Sequence, residues 1–147
     1  MVRHGAAALC AFFLSAPTMA GPEEEALDVL KLWTEAFAAS DVDAIVQLYA
    51  PDALFIGTGS RTVVTDPAEI RTYFEGALFT RRPRAAPISS QHVKVLGENV
   101  VLVTGLNDST GVLDGKPFSN QGRVTFVVAK RGSEWKIVHF HRSAMPK

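Results

Sequence analysis

The chain has 147 residues, of which 47% are hydrophobic, and a formal net charge of zero. This length fits one domain of ordinary size, and the apolar content is sufficient for a buried core. The balanced charge argues against a nucleic-acid-binding protein, which usually carries a surplus of basic residues on one face. No apolar stretch reaches the roughly 20 residues that a membrane-spanning helix needs.

The first 20 residues have the pattern of a secretory signal peptide. A basic start is followed by an apolar run over residues 6–16 and by the small-residue site Thr18-Met19-Ala20. We expect cleavage after Ala20, which leaves residues 21–147 as a single secreted or periplasmic domain without a membrane anchor. The only cysteine, Cys10, lies in the removed segment, so the mature chain has no disulfide. The alternative is a buried first helix.

Three helices are predicted in the first half of the mature chain. Residues 23–39 carry apolar side chains at spacings of three and four, which indicates an amphipathic helix. A shorter helix is predicted over residues 40–50, where Pro51 ends it. Asp66, Pro67 and Glu69 form a helix-start pattern, and the third helix is predicted to run to about Phe79.

The second half of the chain is predicted to be strands. Short strands are expected at residues 53–57 and 62–65, before the third helix. Four longer runs follow it, and the Asp114-Gly115 pair is a strong hairpin signal between two of them. Consecutive strands joined by short turns form an antiparallel sheet, so the predicted fold class is α+β. The four runs cover residues 91–96, 100–110, 123–130 and 135–142.

Several stretches of the last third carry a resemblance to a known family. They are Asp114-Gly115-Lys116-Pro117-Phe118, Arg123-Val124-Thr125-Phe126-Val127 and Trp135-Lys136-Ile137-Val138-His139-Phe140-His141-Arg142-Ser143. Residues 24–146 resemble the association (hub) domain of calcium/calmodulin-dependent protein kinase II and its bacterial relatives, which are SnoaL-like or nuclear transport factor two-like proteins. The resemblance implies a cone-shaped curved antiparallel sheet wrapped around two to three N-terminal helices. It also implies self-association through the open sheet face, as a homodimer or a larger ring.

The resemblance does not imply kinase activity. The sequence contains no glycine-rich nucleotide loop, no catalytic His-Arg-Asp and no Asp-Phe-Gly. The superfamily includes isomerases, cyclases and dehydratases as well as modules without chemistry, so the fold alone does not decide the function. The sequence predicts no cofactor.

A pocket inside the cone is the expected ligand site. The resemblance implies that Arg142 points into this pocket and binds a carboxylate, and a structural salt bridge is the alternative. Strand alternation places Val138 and Phe140 on the same face as Arg142. The expected ligand is a small apolar or carboxylate-bearing molecule. Four further aromatic residues complete the predicted lining: Trp33, Tyr49, Tyr73 and Phe126.

Asp108 is the candidate catalytic residue. The resemblance places it where the hub domain has a pocket arginine. A carboxylate enclosed in an apolar cone has a raised pKa and can act as a general base. An enzyme of the isomerase type would then use Asp108 as the base and Tyr49 or Tyr73 as a hydrogen-bond donor. The alternatives are a pair between Asp108 and Arg142 and a solvated strand end.

The remaining polar clusters have less specific interpretations. His139 and His141 share a strand face, but a metal site needs a third ligand, and nothing fixes His92 beside them. We therefore predict no metal site and expect both histidines to pack at the dimer face or to hydrogen-bond with neighbouring residues. The three arginines of the loop Arg81–Arg84 are predicted to be solvated, with an anionic partner as the alternative.

Three functions fit these patterns. The first is an exported homo-oligomer that binds a small, mostly apolar molecule and has no assigned catalysis. The second is a small isomerase, cyclase or dehydratase that uses Asp108. The third is a structural oligomer whose cone is filled by side chains.

Overall fold

A computed structural model describes residues 20–147, so the predicted signal peptide lies almost wholly outside the described residues. Helix α1 spans Pro22–Ala39, α2 spans Val42–Gln47 and α3 spans Pro67–Leu78. Pro22 and Pro67 each occupy the first turn of a helix, and the carboxylate of Asp66 accepts a hydrogen bond from the Ala68 amide at 2.8 Å. The N-terminal cap predicted for α3 is therefore confirmed. No helix in the described range is long and apolar enough to cross a membrane.

Five strands form one curved sheet around the helices, which confirms the predicted α+β class. The strands lie in the order β1-β5-β4-β3-β2, and β2 to β5 form an antiparallel meander. Helix α1 contacts all four strands of the meander. In chain order the strands span Tyr49–Ile56, Ile88–Gly97, Val100–Leu113, Lys116–Arg131 and Glu134–Ala144.

The segment around Pro51 differs from its prediction. Helix α2 ends at Gln47, and β1 begins at Tyr49 and pairs in parallel with β5. Pro51 therefore lies in an edge strand, where its missing N–H is tolerated. The predicted strand at 62–65 is reduced to a single bridge, in which Phe55 and Val64 exchange backbone hydrogen bonds of 2.9 Å.

The hairpin between β3 and β4 is confirmed. Leu113 pairs with Lys116, which leaves Asp114 and Gly115 as the two-residue turn. Both turn residues have positive φ, 51° for Asp114 and 72° for Gly115. A turn of this kind matches the twist of the two strands, and the Asp-Gly pair is among the residues that adopt it at low cost.

Packed aromatic rings form the centre of the core. Phe140 on β5 lies 5.0 Å from the ring of Phe55 on β1 and 5.0 Å from that of Phe126 on β4. Trp33 of α1 contacts Phe126 at 5.4 Å and Phe74 of α3 at 6.3 Å. Because these rings come from all layers of the fold, their burial joins the helices to the sheet.

Replacing Phe126 tests this aromatic core. Phe126 is fully buried, so we expect Phe126→Ala to lower the free energy of unfolding by about 3–5 kcal/mol in urea denaturation. The matched control is Phe79→Ala, because Phe79 is 51% exposed, and its cost should be about 1 kcal/mol or less. Equal losses in the two variants would contradict the proposed core.

Candidate functional site: a cavity with an arginine cluster

A cavity of about 710 Å³ opens between the helices and the inner face of the sheet. One part of its wall is aromatic, and the other is polar and cationic. The aromatic part consists of Trp33, Phe37, Tyr73, Phe74, Phe118 and Phe140. The polar part includes Arg81, Arg84, Arg142, Asn107, Ser109 and Asn120. This division suits a ligand with an apolar body and one polar end.

Arg142 is held by three neutral acceptors. Its Nε donates to Asn107 Oδ1 at 2.8 Å, its Nη1 to Thr58 Oγ1 at 2.6 Å, and its Nη2 to the Asn120 carbonyl at 2.7 Å. A Cβ at Gly122 would stand 2.6 Å from Nη2, so this position has no room for a larger residue. Arg142 therefore joins β5 to β3, β4 and the segment after β1, and these bonds use three of the five N–H donors of its guanidinium.

Arg84 lies inside the protein, and its prediction as a solvated loop residue was wrong. Its side chain is only 7% exposed. The guanidinium lies between two rings, 5.2 Å from the centroid of Phe37 and 5.0 Å from that of Phe118. Nη2 donates to Ser109 Oγ at 2.9 Å, whereas Nε and Nη1 are buried and have no hydrogen-bond partner.

The backbone around Arg84 explains this inward orientation. The Ala85 carbonyl accepts from the Thr110 amide at 2.9 Å, and the Arg81 carbonyl accepts from the Val112 amide at 3.1 Å. The segment is thus fixed along the end of β3, and Ala86 is buried. The available sequence signal was the apolar Ala85-Ala86 pair, which is unusual in a solvated loop.

Two tyrosines near the cavity are neutral at physiological pH. Burial raises the pKa of Tyr73, while the positive charge of Arg142 acts in the opposite direction. Burial also raises the pKa of Tyr49, and Tyr49 Oη accepts a hydrogen bond from Trp33 Nε1 at 3.1 Å. Tyr73 can therefore offer a hydroxyl group to the cavity, whereas Tyr49 lies behind Trp33.

The seven predicted ligand-binding residues divide into two groups. Trp33, Tyr73, Phe140 and Arg142 line the cavity. The other three, Tyr49, Phe126 and Val138, do not. Tyr49 and Phe126 are buried in the aromatic core behind the wall. Val138 falls at a β-bulge, because Val127 pairs with His139 and Val128 with Ile137, and the bulge breaks the predicted alternation.

Asp108 lies outside the cavity. Its neighbours Asn107 and Ser109 line the wall, and strand alternation turns Asp108 to the opposite face of β3. There it accepts a hydrogen bond from Ser119 Oγ at 2.6 Å. In the described part of the chain it forms no salt bridge with Arg142. The sequence signal that could have placed Asn107 and Ser109 in the wall is their position two residues apart on a largely apolar strand.

The histidines lie on the other face of the sheet. His139 pairs with Leu54 on one side and Val127 on the other, and His141 occupies the next row with Thr125. His92 is on β2, with β4 and β3 between it and β5. Within residues 20–147, no group of three His, Cys, Asp or Glu side chains is arranged to hold a metal ion.

The model of the SnoaL-like domain family matches residues 26–147. The chain belongs to this family. It is 30% identical to a Xanthomonas campestris protein provisionally named a calcium/calmodulin-dependent protein kinase II association domain. The alignment of the two structures has a TM-score of 0.79 and covers 90% of this chain and 94% of that one.

Other relatives extend the comparison. The delta subunit of rabbit calcium/calmodulin-dependent protein kinase II is 29% identical over 84% of this chain, which spans only 24% of the kinase subunit's length. A Streptomyces avermitilis protein provisionally named a dehydratase of the NTF2-like family is 17% identical, with a TM-score of 0.74 and coverages of 84% and 97%. At that identity the similarity concerns the fold alone.

We expect Arg142 to contribute to the stability of the fold. Arg142→Lys should lower the free energy of unfolding by about 1–3 kcal/mol, because one ammonium group cannot reach the three acceptors in different directions. Arg123→Lys is the matched control, since Arg123 makes a single exposed hydrogen bond of 3.3 Å to the Ala144 carbonyl. Chemical denaturation of both variants measures the difference, and an equal loss would contradict the network.

His139 should make stability depend on pH. Burial lowers the pKa of His139 below its ordinary value of 6.5, and the charge of His141 adds to this effect. The unfolded chain then binds the proton first, so the free energy of unfolding should fall as the pH decreases from about 7 through 6.5 to the lower folded-state pKa. His139→Gln should flatten this dependence, and His92→Gln, at an exposed position, should retain it. An unchanged slope in His139→Gln would disprove the assignment.

Proposed function

We propose that this protein is an exported, self-associating domain whose cavity binds a small, mostly apolar molecule without catalysing a reaction. The observation that carries the proposal is the composition of the cavity wall. Among the described residues that form it there are six aromatic rings and three arginines, but no Asp, Glu, His or Cys. Such a wall supplies apolar contact and positive charge, and it lacks the usual general base.

The enzyme alternative has less support. An isomerase-, cyclase- or dehydratase-type reaction would require Asp108 to reach the ligand, and Asp108 faces away from the cavity. Apart from the arginines, Tyr73 is the titratable residue among the described residues of the wall. Burial keeps its hydroxyl protonated. A neutral phenol can donate a hydrogen bond to a ligand but is a poor proton acceptor. Kinase activity is not proposed, because the sequence has none of the kinase motifs.

Self-association is proposed through the face of the sheet opposite the helices. A row of paired residues crosses this face from Leu54 through His139 and Val127 to Leu102. Leu54 is 46% exposed, and Val127 and Leu102 are partly exposed. Mutual burial of such a surface is favourable, and two identical faces meet most simply about a two-fold axis. The association-domain name of the Xanthomonas campestris relative agrees with this proposal.

Native mass spectrometry of protein from a periplasmic extract tests export and association together. The expected species is a dimer or larger ring of chains that begin at Gly21. Val127→Arg should shift it to monomer, because a charge would be buried at the interface. The matched control, Val63→Arg, changes a residue that is 51% exposed in the loop after β1 and should leave the oligomer intact.

Two outcomes would overturn parts of the proposal separately. A wild-type monomer at micromolar concentration would disprove self-association. Protein that is absent from the periplasmic extract, or that retains residues 1–20, would disprove export. A small molecule retained by the wild-type oligomer would support the binding function and supply the ligand for further study.

A further inference from the structure

We propose that the outer face of the sheet, opposite the helices, is an acid-labile interface in which His139 and His141 must be uncharged for two copies of this chain to associate. This inference rests on the proposed self-association and adds its regulation by protons. Three features of the outer face support it. They are the position of the two imidazoles, the lack of a carboxylate to pair with them, and the positive charge around them.

The first feature is the position of the two imidazoles within the outer face. His139 lies between Leu54 of β1 and Val127 of β4 in one row of paired residues. His141 lies in the next row, beside Thr125 of β4. His139 is half-buried in the single chain, and Leu54 beside it is 46% exposed. A second copy that covers Leu54 and Val127 therefore covers His139 as well.

Two-fold symmetry doubles these groups. Both partners of a two-fold pair use the same surface, so an imidazole that is buried in one copy is also buried in the other. His139 and His141 are two residues apart on β5 and leave it on the same side. β5 lies next to β4, the central strand of the sheet. Protonation would therefore place positive charges from both copies near the middle of the interface.

The second feature is the lack of a carboxylate that could neutralise a protonated imidazole. Strands β2 and β4 contain no acidic residue, and each of the other three strands contains one. Asp52 of β1 is bound by Arg131 at 3.0 Å, and Glu134 of β5 contacts Lys136 at 3.4 Å. Both carboxylates are therefore already paired with a cation.

The third acid, Asp108 of β3, is distant from the imidazoles of its own chain. It pairs with Gln121 of β4, whereas His141 pairs with Thr125, which is four positions further along the same strand. At roughly 3.3 Å per residue this separation is about 13 Å. The Asp108 carboxylate also accepts a hydrogen bond from Ser119 Oγ at 2.6 Å. Among residues 20–147, neither imidazole forms a salt bridge.

The third feature is the positive charge of the face around the imidazoles. Lys94 of β2 ends the row that contains His139, and His92 ends the row that contains His141. Arg123 of β4 lies in the row beyond, and both Lys94 and Arg123 are exposed. Two copies of a cationic face repel each other. Protonated imidazoles would add to this repulsion, and burying their charges without a partner is costly.

The direction of the pH effect follows from the surroundings of His139. Burial lowers the pKa of His139 below 6.5, the charge of His141 lowers it further, and a hydrogen bond with the Leu54 backbone acts in the opposite direction. A second copy buries the ring further and lowers its pKa again, so the associated state binds fewer protons than the separated chains. Association is therefore favoured above about pH 6.5 and weakens as the pH falls through the pKa of the separated chains.

Analytical ultracentrifugation of protein from the periplasmic extract tests the inference. The dissociation constant of the wild-type oligomer should be at least about tenfold larger at about pH 5.5 than at about pH 7.5, because buried imidazoles must release their protons. The double variant His139→Gln/His141→Gln cannot titrate at these positions, so its two dissociation constants should agree within about twofold. The control His92→Gln changes an exposed histidine of the edge strand β2 and should retain the wild-type dependence.

Two further measurements on wild-type protein keep the test decisive if the double variant does not fold or associate. The logarithm of the dissociation constant should change by more than about one unit per pH unit below about pH 6, since a two-fold pair takes up at least two protons on separation. A smaller change would overturn the inference. Far-UV circular dichroism should show folded chains at both pH values, and loss of structure in acid would replace dissociation by unfolding and overturn it.

The remaining outcomes separate the inference from the proposed function. A wild-type monomer at both pH values would disprove self-association and the inference together. An oligomer with the same dissociation constant at both pH values would leave self-association intact and overturn the inference alone. Tighter association in acid would mean that a carboxylate of the second copy receives the protonated imidazoles, and it would also overturn the inference. An unchanged pH dependence in the double variant would assign the effect to other groups and reject the role of the two histidines.

Discussion

The hydrogen bonds of Arg142 are the interaction on which the cavity depends. They connect the C-terminal end of β5 to side-chain or backbone oxygens on β3, on β4 and on the segment after β1. The residues that supply these oxygens, Thr58, Asn107 and Asn120, all line the cavity. The three acceptors are uncharged, so Arg142 fixes the geometry without a salt bridge among the described residues, although the charge of Asp108 acts on it. A single residue thus provides rigidity and an electrostatic field.

A second arginine, Arg84, is held at a fixed position in the wall of the cavity. Arg84 occupies a segment whose backbone follows β3, and this segment, unlike a free loop, presents its side chain at a defined position. Ring stacking against Phe37 and Phe118 restrains the guanidinium further.

The sequence was sufficient for the architecture because its local signals agree. The amphipathic spacing of α1, the cap at Asp66 and the Asp114-Gly115 turn each depend on a few neighbouring residues, and all three were predicted correctly. The parallel pairing of β1 with β5 was not predicted, because it joins distant segments and leaves no local pattern. Pro51 was interpreted as the end of a helix for the same reason. Only the strand order shows that it lies in an edge strand of the sheet.

The site was less predictable, because a one-residue change in register reverses the face on which a strand residue lies. Asp108 was given the position that Asn107 and Ser109 occupy, and Val138 was assigned to the wall without knowledge of the bulge beside it. Trp33, Tyr73, Phe140 and Arg142 line the cavity, and their ligand-binding role stays a prediction. The burial of Arg84 was not predicted, because it results from backbone hydrogen bonds between its segment and the distant strand β3. From composition alone, an arginine beside a proline is expected to be solvated.

The order of the strands has a consequence for how the chain reaches this state. β5 is the last element in the sequence, yet it lies between β1 and β4. Until β5 has been synthesised, β1 has no neighbour in the sheet, and Phe55 lacks the ring of Phe140 that covers it. Contacts between such distant segments make folding slow, because a long loop must close before they form. Phe140 and Arg142 of β5 can therefore join the cavity wall only after the end of the chain has been synthesised, and a nascent chain that lacks β5 exposes two unpaired strand edges.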